Sequence, residues 1–362
     1  MPQHPALANN VLRSLPKVSL HDHLDGSLRA ETVIELSQAL GLPLPTTDPD
    51  ALRAWFLGQS NSGSLVAYLE SFALTGAVLQ HAEHLHRVAR EYVLDLAADG
   101  VVCAEVRWAP EKHTEAGLTM DEAVDAVRAG LRDGMAEAAA AGTAIEVQQL
   151  IAGMRGADRT PEVAELALRH HGDGVVGFDL AGPEAGFPTS RYREAVELIA
   201  RHHMPTTIHA GEADGLGSIT SALLDGRALR LGHGVRIIED IDEQGTLGPL
   251  ARWVRDRGIV LETSPTSNLH TGAFTAWGES MSDHPIDTLH RHNFRVTVNT
   301  DNRLMSGTTL TDELALLQRT FDFGLDDLET FQLNAAHGAF VDPSRRAELT
   351  NTIREGFARA RG

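Results

Sequence analysis

Eight short runs rich in β-branched and aliphatic residues recur along the chain, and the stretches between them carry helical periodicity. The runs span residues 16–21, 101–108, 143–151, 174–180, 205–209, 228–233, 258–263 and 295–301. Helices are expected between them, among others at Asp121–Ala140, Pro161–His171, Ser190–His202 and Leu247–Asp256. Strands that alternate with helices read as βαβ units, and eight such units close into one parallel sheet. The expected fold class is therefore α/β, a (β/α)8 TIM barrel. The first connection, residues 24–100, is far longer than the others and holds extra helical patterns at Arg29–Leu40, at Asp48–Leu57 and from Ser62 through Leu65, Leu69 and Phe72. Extra helices inserted after strand 1 lie at the strand C-termini, where barrel enzymes keep their sites, so they are expected to form a lid or an apolar wall. With no internal repeat and no Pro-, Gly- and Ser-rich linker in 362 residues, a single domain is expected over 1–362, with 1–15 as a polar N-terminal tail.

The polar residues that end these runs form a second pattern. His21 and His23 close the first run, His209 and Glu212 the fifth, His233 the sixth and Asp301 the eighth. In an extended strand the side-chain period is two, which puts His21, His23 and Asp25 on one side and Asp22 on the other. Barrel strands end at one mouth, so all of these groups are expected to meet there. Three imidazoles and a carboxylate make a donor set suited to zinc, with room left for a water. The other histidines fit bland roles: His81, His84 and His86 on a surface helix, and His170, His171, His202 and His203 at helix ends.

The formal charge of −19 would repel both a nucleic-acid backbone and an anionic membrane, so a small molecule is the expected partner. The one cysteine, Cys103, excludes an internal disulfide and sits in an apolar run, where a buried inert thiol is expected. Neither a basic start followed by an apolar stretch nor a membrane-length apolar run is found, and a cytoplasmic protein is expected. The oligomeric state is not legible.

Six ordered segments now bear comparison with a known pattern: Ser19-Leu-His-Asp-His-Leu-Asp-Gly26, Val175-Val-Gly-Phe-Asp-Leu-Ala-Gly182, His209-Ala-Gly-Glu212, Leu231-Gly-His-Gly-Val-Arg236, Ser264-Pro-Thr-Ser-Asn268 and Val298-Asn-Thr-Asp-Asn302. Over essentially its whole length the sequence resembles the adenosine deaminase family of the amidohydrolase superfamily. The resemblance implies one Zn2+ per chain on His21, His23, His209 and Asp301, with Glu212 as proton donor and His233 as catalytic histidine. It further implies that Asp25 meets the ribose 5′-hydroxyl and that the backbone of Gly182 meets the purine. The implied reaction converts adenosine and 2′-deoxyadenosine to inosine products and ammonia.

The residue types suit that chemistry. Zinc lowers the pKa of water to roughly 7. His233 and Asp301 would orient and deprotonate that water, and a Glu212 of raised pKa would protonate purine N1. One position departs from the animal-type pattern, which has a second aspartate against purine N7 where this chain has Asn302. An amide donates to N7 directly, yet relatives acting on adenine, 6-aminodeoxyfutalosine or modified nucleosides share the zinc motifs. Two rival classes make different demands on the same residues. A binuclear hydrolase needs a bridging group such as a strand-4 lysine, and that strand ends Asp179-Leu180-Ala181-Gly182 instead. A non-catalytic binding relative would not need Glu212 and His233. Ser267 and Asn268 are expected to cap a loop or to bond to the ligands, and Arg29 is the one cation near Asp25 in sequence.

Overall fold

The computed structural model describes residues 7–61 and 65–362, with side chains for all of these except 65–70. Its strands are β1 (Lys17–His23), β2 (Val101–Trp108), β3 (Glu146–Met154), β4 (Val175–Ala181), β5 (Thr207–Ala210), β6 (Arg230–His233), β7 (Val260–Thr263) and β8 (Arg295–Val298). Parallel ladders join β1 through β4 and β5 through β8 in chain order. The two halves close on each other. Phe178 N donates to Pro205 O at 3.0 Å, Asp301 N to His21 O at 2.9 Å, and His23 N to Asp301 O at 2.7 Å. Leu20 N and His21 N also donate to Asn299 Oδ1, at 2.9 and 3.1 Å. The result is the expected (β/α)8 barrel, whose strands read as near-continuous apolar runs because helices cover their outer face.

Several boundaries differ from the sequence reading. β1 runs on to His23, so both histidines lie within the strand, and β8 stops at Val298, three residues short of Asp301. Residues 143–145 precede β3, and Ser190–Tyr192 form part of a 3₁₀ turn ahead of the helix Arg193–Arg201. The segment read as a tail contains the helix Asn9–Ser14. Lys17 anchors it: buried Nζ donates to the carbonyls of Leu12, Arg13 and Leu15 at 2.9, 3.0 and 2.9 Å. Those are orphan acceptors at a helix end, and burial pushes the lysine down to about 8.

Four helices fill the long first connection: Ala30–Leu40, Pro49–Ser60, Leu65–Val78 and Ala82–Ala98. Pro49–Ser60 starts where Asp48 accepts from Ala51 N at 2.8 Å, a cap followed by proline in the first turn. It packs on Arg303–Ser306, the turn after β8, while Leu65–Val78 packs on the 3₁₀ turn Leu24–Gly26 after β1. The insertion thus leans on two segments at the mouth. Residues 62–64 and the side chains of Leu65 and Leu69 lie outside the described residues; Phe72 is half-buried against the core. One contiguous apolar core extends from Leu12 to Phe357, with Cys103 buried inside it. His81 precedes the helix Ala82–Ala98 that carries His84 and His86. His170 closes its helix and bonds Asp121 at 2.9 Å, and His202 caps another through Leu198 O at 2.9 Å. Among the described residues no helix is long and apolar enough to cross a membrane.

Candidate active site and metal centre

Strand alternation turns His21 and His23 into the barrel and Asp22 outward. Asp22 accepts from Ser27 Oγ at 2.5 Å and pairs with Arg303 at 2.9 Å. Asp301 lies beyond its strand in a left-handed conformation, φ 60°, and His233 closes β6 with φ 63°. Such dihedrals are costly for residues other than glycine and gather at functional sites. Asp301 Oδ1 lies 3.3 Å from Nε2 of both His21 and His23, and His23 Nε2 lies 3.3 Å from His209 Nε2. One donor atom from each of His21, His23, His209 and Asp301 lies within 4.8 Å of all the others.

The far sides of two of these rings are held. His21 Nδ1 meets Glu262 Oε2 at 3.1 Å and His209 Nδ1 meets Asp179 Oδ2 at 3.0 Å. A carboxylate at Nδ1 keeps the proton there and leaves the Nε2 lone pair free for a metal. His21 Nε2 is buried and has no hydrogen-bond partner, so the donor set fits a metal ion. Buried Arg107 joins the two carboxylates, at 2.6 Å to Glu262 and 3.1 Å to Asp179, and donates to Leu20 O at 2.6 Å. Arg230 adds contacts of 2.6 Å to both Glu262 and Glu105. Burial pushes the Glu262 carboxyl up, but the charges of Arg107 and Arg230 outweigh it and hold the group well below the usual carboxylate range. Sequence reasoning missed Glu105, Arg107, Arg230 and Glu262, isolated charges in otherwise apolar strands; the signal, together with Asp179, is that two arginines and three acids occupy strand positions whose charges must cancel.

A second cluster shares Asp301. Glu212, His233 and Asp301 present one atom each within 4.8 Å, and Glu212 Oε2 is 3.5 Å from His233 Nε2. Burial, then the charges of Asp301 and Glu184, push Glu212 up to about 8. The short helix Pro265–His270 and its C-cap Thr271 serve all three. Ser267 Oγ donates to Asp301 Oδ2 at 2.6 Å, Asn268 Nδ2 lies 2.9 Å from His233 Nδ1, and Thr271 Oγ1 donates to Glu212 Oε1 at 2.9 Å. Glu184, also unforeseen, accepts from the backbone of Gly211, Glu212 and Ala213 at 2.6, 3.1 and 2.7 Å. Buried Arg155 donates to His209 O at 2.7 Å. The segment carrying His209 and Glu212 is therefore gripped by its backbone from two sides.

The remaining candidates stand at the same mouth. Gly182 follows β4 with φ 90°, a conformation open to glycine, and an added Cβ there would come within 3.1 Å of Met154 Cε. Asn302 is buried with Oδ1 unpartnered, and its side chain lies where a Cβ on Gly26 would fall 1.9 Å from that oxygen. Asp25 lies in the 3₁₀ turn Leu24–Gly26, past the end of β1, so strand alternation does not set its direction. Its Oδ1 is buried without a partner, burial pushes its pKa up to about 6, and Lys112 is the nearby cation that favours its charged form. Arg29 turns away to Asp95, at 2.6 Å, beside a separate cavity of about 460 Å³.

Residues 16–356 match the family model described as adenosine deaminase. The chain belongs to the adenosine deaminase family. It is 51% identical over 349 residues to the adenosine deaminase of Mycobacteroides abscessus, covering 95% of each chain. Among solved structures it is similar to the adenine deaminase of Arthrobacter aurescens, with a TM-score of 0.81, 25% identity and coverage of 94% of this chain and 98% of that one. A zinc-bound amidohydrolase from Burkholderia ambifaria shares the fold with a TM-score of 0.85 at 24% identity, covering 99% of this chain and 95% of the other. Deaminases of this fold depend on a metal, and the cluster of His21, His23, His209 and Asp301 is a place that could hold it.

Proposed function

We propose that the protein hydrolyses adenosine and 2′-deoxyadenosine to inosine products and ammonia, serving purine salvage in the cytoplasm as one barrel domain with one zinc ion on His21, His23, His209 and Asp301. The observation that carries this reading is the meeting of Glu212, His233 and Asp301 at one edge of the donor cluster. Zinc in such a site is a Lewis acid that makes water nucleophilic near neutral pH. Asp301 and His233 face the attacking water, orient it and remove its proton as the oxygen bonds to purine C6. Glu212, its pKa raised by burial and by neighbouring charge, gives a proton to N1, so aromaticity is broken without an unstabilised anion. The tetrahedral carbon then expels the amine, which takes the water-derived proton and leaves as ammonia. The remaining hydroxyl proton returns to Glu212, leaving a C6 carbonyl and a protonated N1.

Gly182 offers its backbone to the purine and Asn302 its amide to N7, while Asp25 receives the ribose 5′-hydroxyl. A carboxylate there accepts a hydroxyl but repels a phosphate, a cost on the order of several kcal/mol in a partly buried site. Exposed Lys112 softens that repulsion without cancelling it. Ammonia release measured over adenosine, 2′-deoxyadenosine, adenine and AMP tests the assignment. The two nucleosides should turn over and AMP should not, and Asp25→Asn should slow adenosine while relaxing the exclusion of AMP. AMP or adenine outpacing adenosine in the unmodified protein would overturn it.

A further inference from the structure

A chain of buried groups behind His233 fixes which of its ring nitrogens carries a proton. The backbone N–H of Ile286 lies 3.1 Å from His284 Nδ1. A backbone amide can only donate, so His284 Nδ1 is an acceptor and the proton of that neutral ring sits on Nε2. His284 Nε2 is 3.2 Å from Asn268 Oδ1, which also accepts from the backbone N–H of Ser264 at 3.2 Å. Two donors on one side of the amide fix its oxygen there, and its nitrogen therefore faces His233 Nδ1 at 2.9 Å. That nitrogen donates, so His233 Nδ1 accepts. His284, Asn268 and His233 are all buried, so water does not replace any link.

We propose that Asn268 and His284 are positioning residues that hold His233 as the neutral Nε2–H tautomer, so that His233 presents a hydrogen-bond donor to the reacting oxygen and is not its base. Both ring protonation at Nδ1 and the imidazolium would set an N–H against the Asn268 N–H. The inference rests on the deaminase reading and refines it: the water proton goes to the Asp301 carboxylate, the oxygen–C6 bond forms, and His233 Nε2–H stabilises the charge on that oxygen. Ser267 Oγ, donating to Asp301 Oδ2 at 2.6 Å, leaves Oδ1 on the side of the histidines to act. An Asn fits this task better than the chemically similar Asp, whose oxygens would draw the proton to Nδ1 and strip Nε2 of its own.

The test uses the intact zinc-loaded protein labelled with 15N-histidine and the two-bond 1H–15N correlations of its imidazole rings. The expected spectrum assigns His233 and His284 as Nε2–H tautomers. The variant Asn268→Asp should move His233 to Nδ1–H and lower kcat for adenosine by about 100-fold or more, the scale of a wrongly placed imidazole proton, with KM within about threefold and one zinc retained. In His284→Phe the Ser264 N–H alone holds the Asn268 oxygen, so the Nε2–H tautomer of His233 should give way in part and kcat should fall less than in Asn268→Asp; an unchanged tautomer and an unchanged kcat would overturn the role of His284. An Nδ1–H tautomer or an imidazolium at His233 in the unmodified protein would overturn the inference without recourse to any variant, as would an Asn268→Asp enzyme of undiminished kcat. If the unmodified protein released no ammonia from adenosine while its spectrum matched, the deaminase reading would fail and the tautomer assignment would stand.

Discussion

Glu212, the proposed proton donor, illustrates how little of such a residue's behaviour lies in its own side chain. It is an ordinary carboxyl pushed up to about 8 by burial and by the charges of Asp301 and Glu184, and oriented by the Thr271 hydroxyl at 2.9 Å. Glu212→Gln keeps the shape and loses the proton. Turnover of adenosine should fall by ~100-fold or more with the zinc content unchanged, the scale of a lost general acid. Loss of the metal in that variant would instead make Glu212 a ligand. The pH dependence follows in sign. Glu212 acts while protonated, so kcat should be full below its pKa and fall as pH rises through it. A cation bound at the histidines offsets the Asp301 charge and moves that fall below the value of about 8 set by the protein groups alone. In Glu212→Gln the alkaline fall should vanish from the residual rate.

Among the elements, the segment His209–Ala213 carries both a member of the candidate metal cluster and the proposed proton donor. It is short, and β5 ends at Ala210, so strand pairing does not restrain the residues that follow. Glu184 does so through three successive backbone amides. Glu184→Ala should therefore reduce kcat by at least ~10-fold while KM stays within about threefold, because a misplaced donor costs the transition state more than the bound substrate. Glu184→Gln, which keeps one acceptor oxygen, should fall between the two. A loss of rate that merely tracks a loss of folded protein would remove this role. Such restraints were not legible beforehand. The period-two spacing of His21 and His23 survives in the strand, and so those residues could be read from sequence; Glu184 contacts residues 27 to 29 positions away, a pairing that only barrel closure creates. The same holds for Asp25, which left the strand register at His23, and for Asn268, whose two-sided bonding depends on a histidine 16 positions on.

For the whole molecule, the alternation of eight runs sufficed for the barrel because the parallel strands are almost wholly buried and the connections between them are helical. What it left open was how the barrel tolerates Glu105, Arg107, Asp179, Arg230 and Glu262 in its interior. They form one charge-paired network under the donor cluster. Removing one partner leaves a buried charge uncompensated, at about 3–5 kcal/mol, so Glu262→Ala should lower the unfolding midpoint and weaken metal binding together through His21. A variant that kept its metal affinity while losing stability would separate the network from the site. The central claim is that catalysis needs one metal at His21, His23, His209 and Asp301, and the most direct measurement of it is ammonia release from adenosine as zinc is titrated into chelator-treated protein. The rate should rise in proportion to added zinc and reach its plateau at one ion per chain; a plateau at two ions per chain, or full release without added metal, would contradict the account.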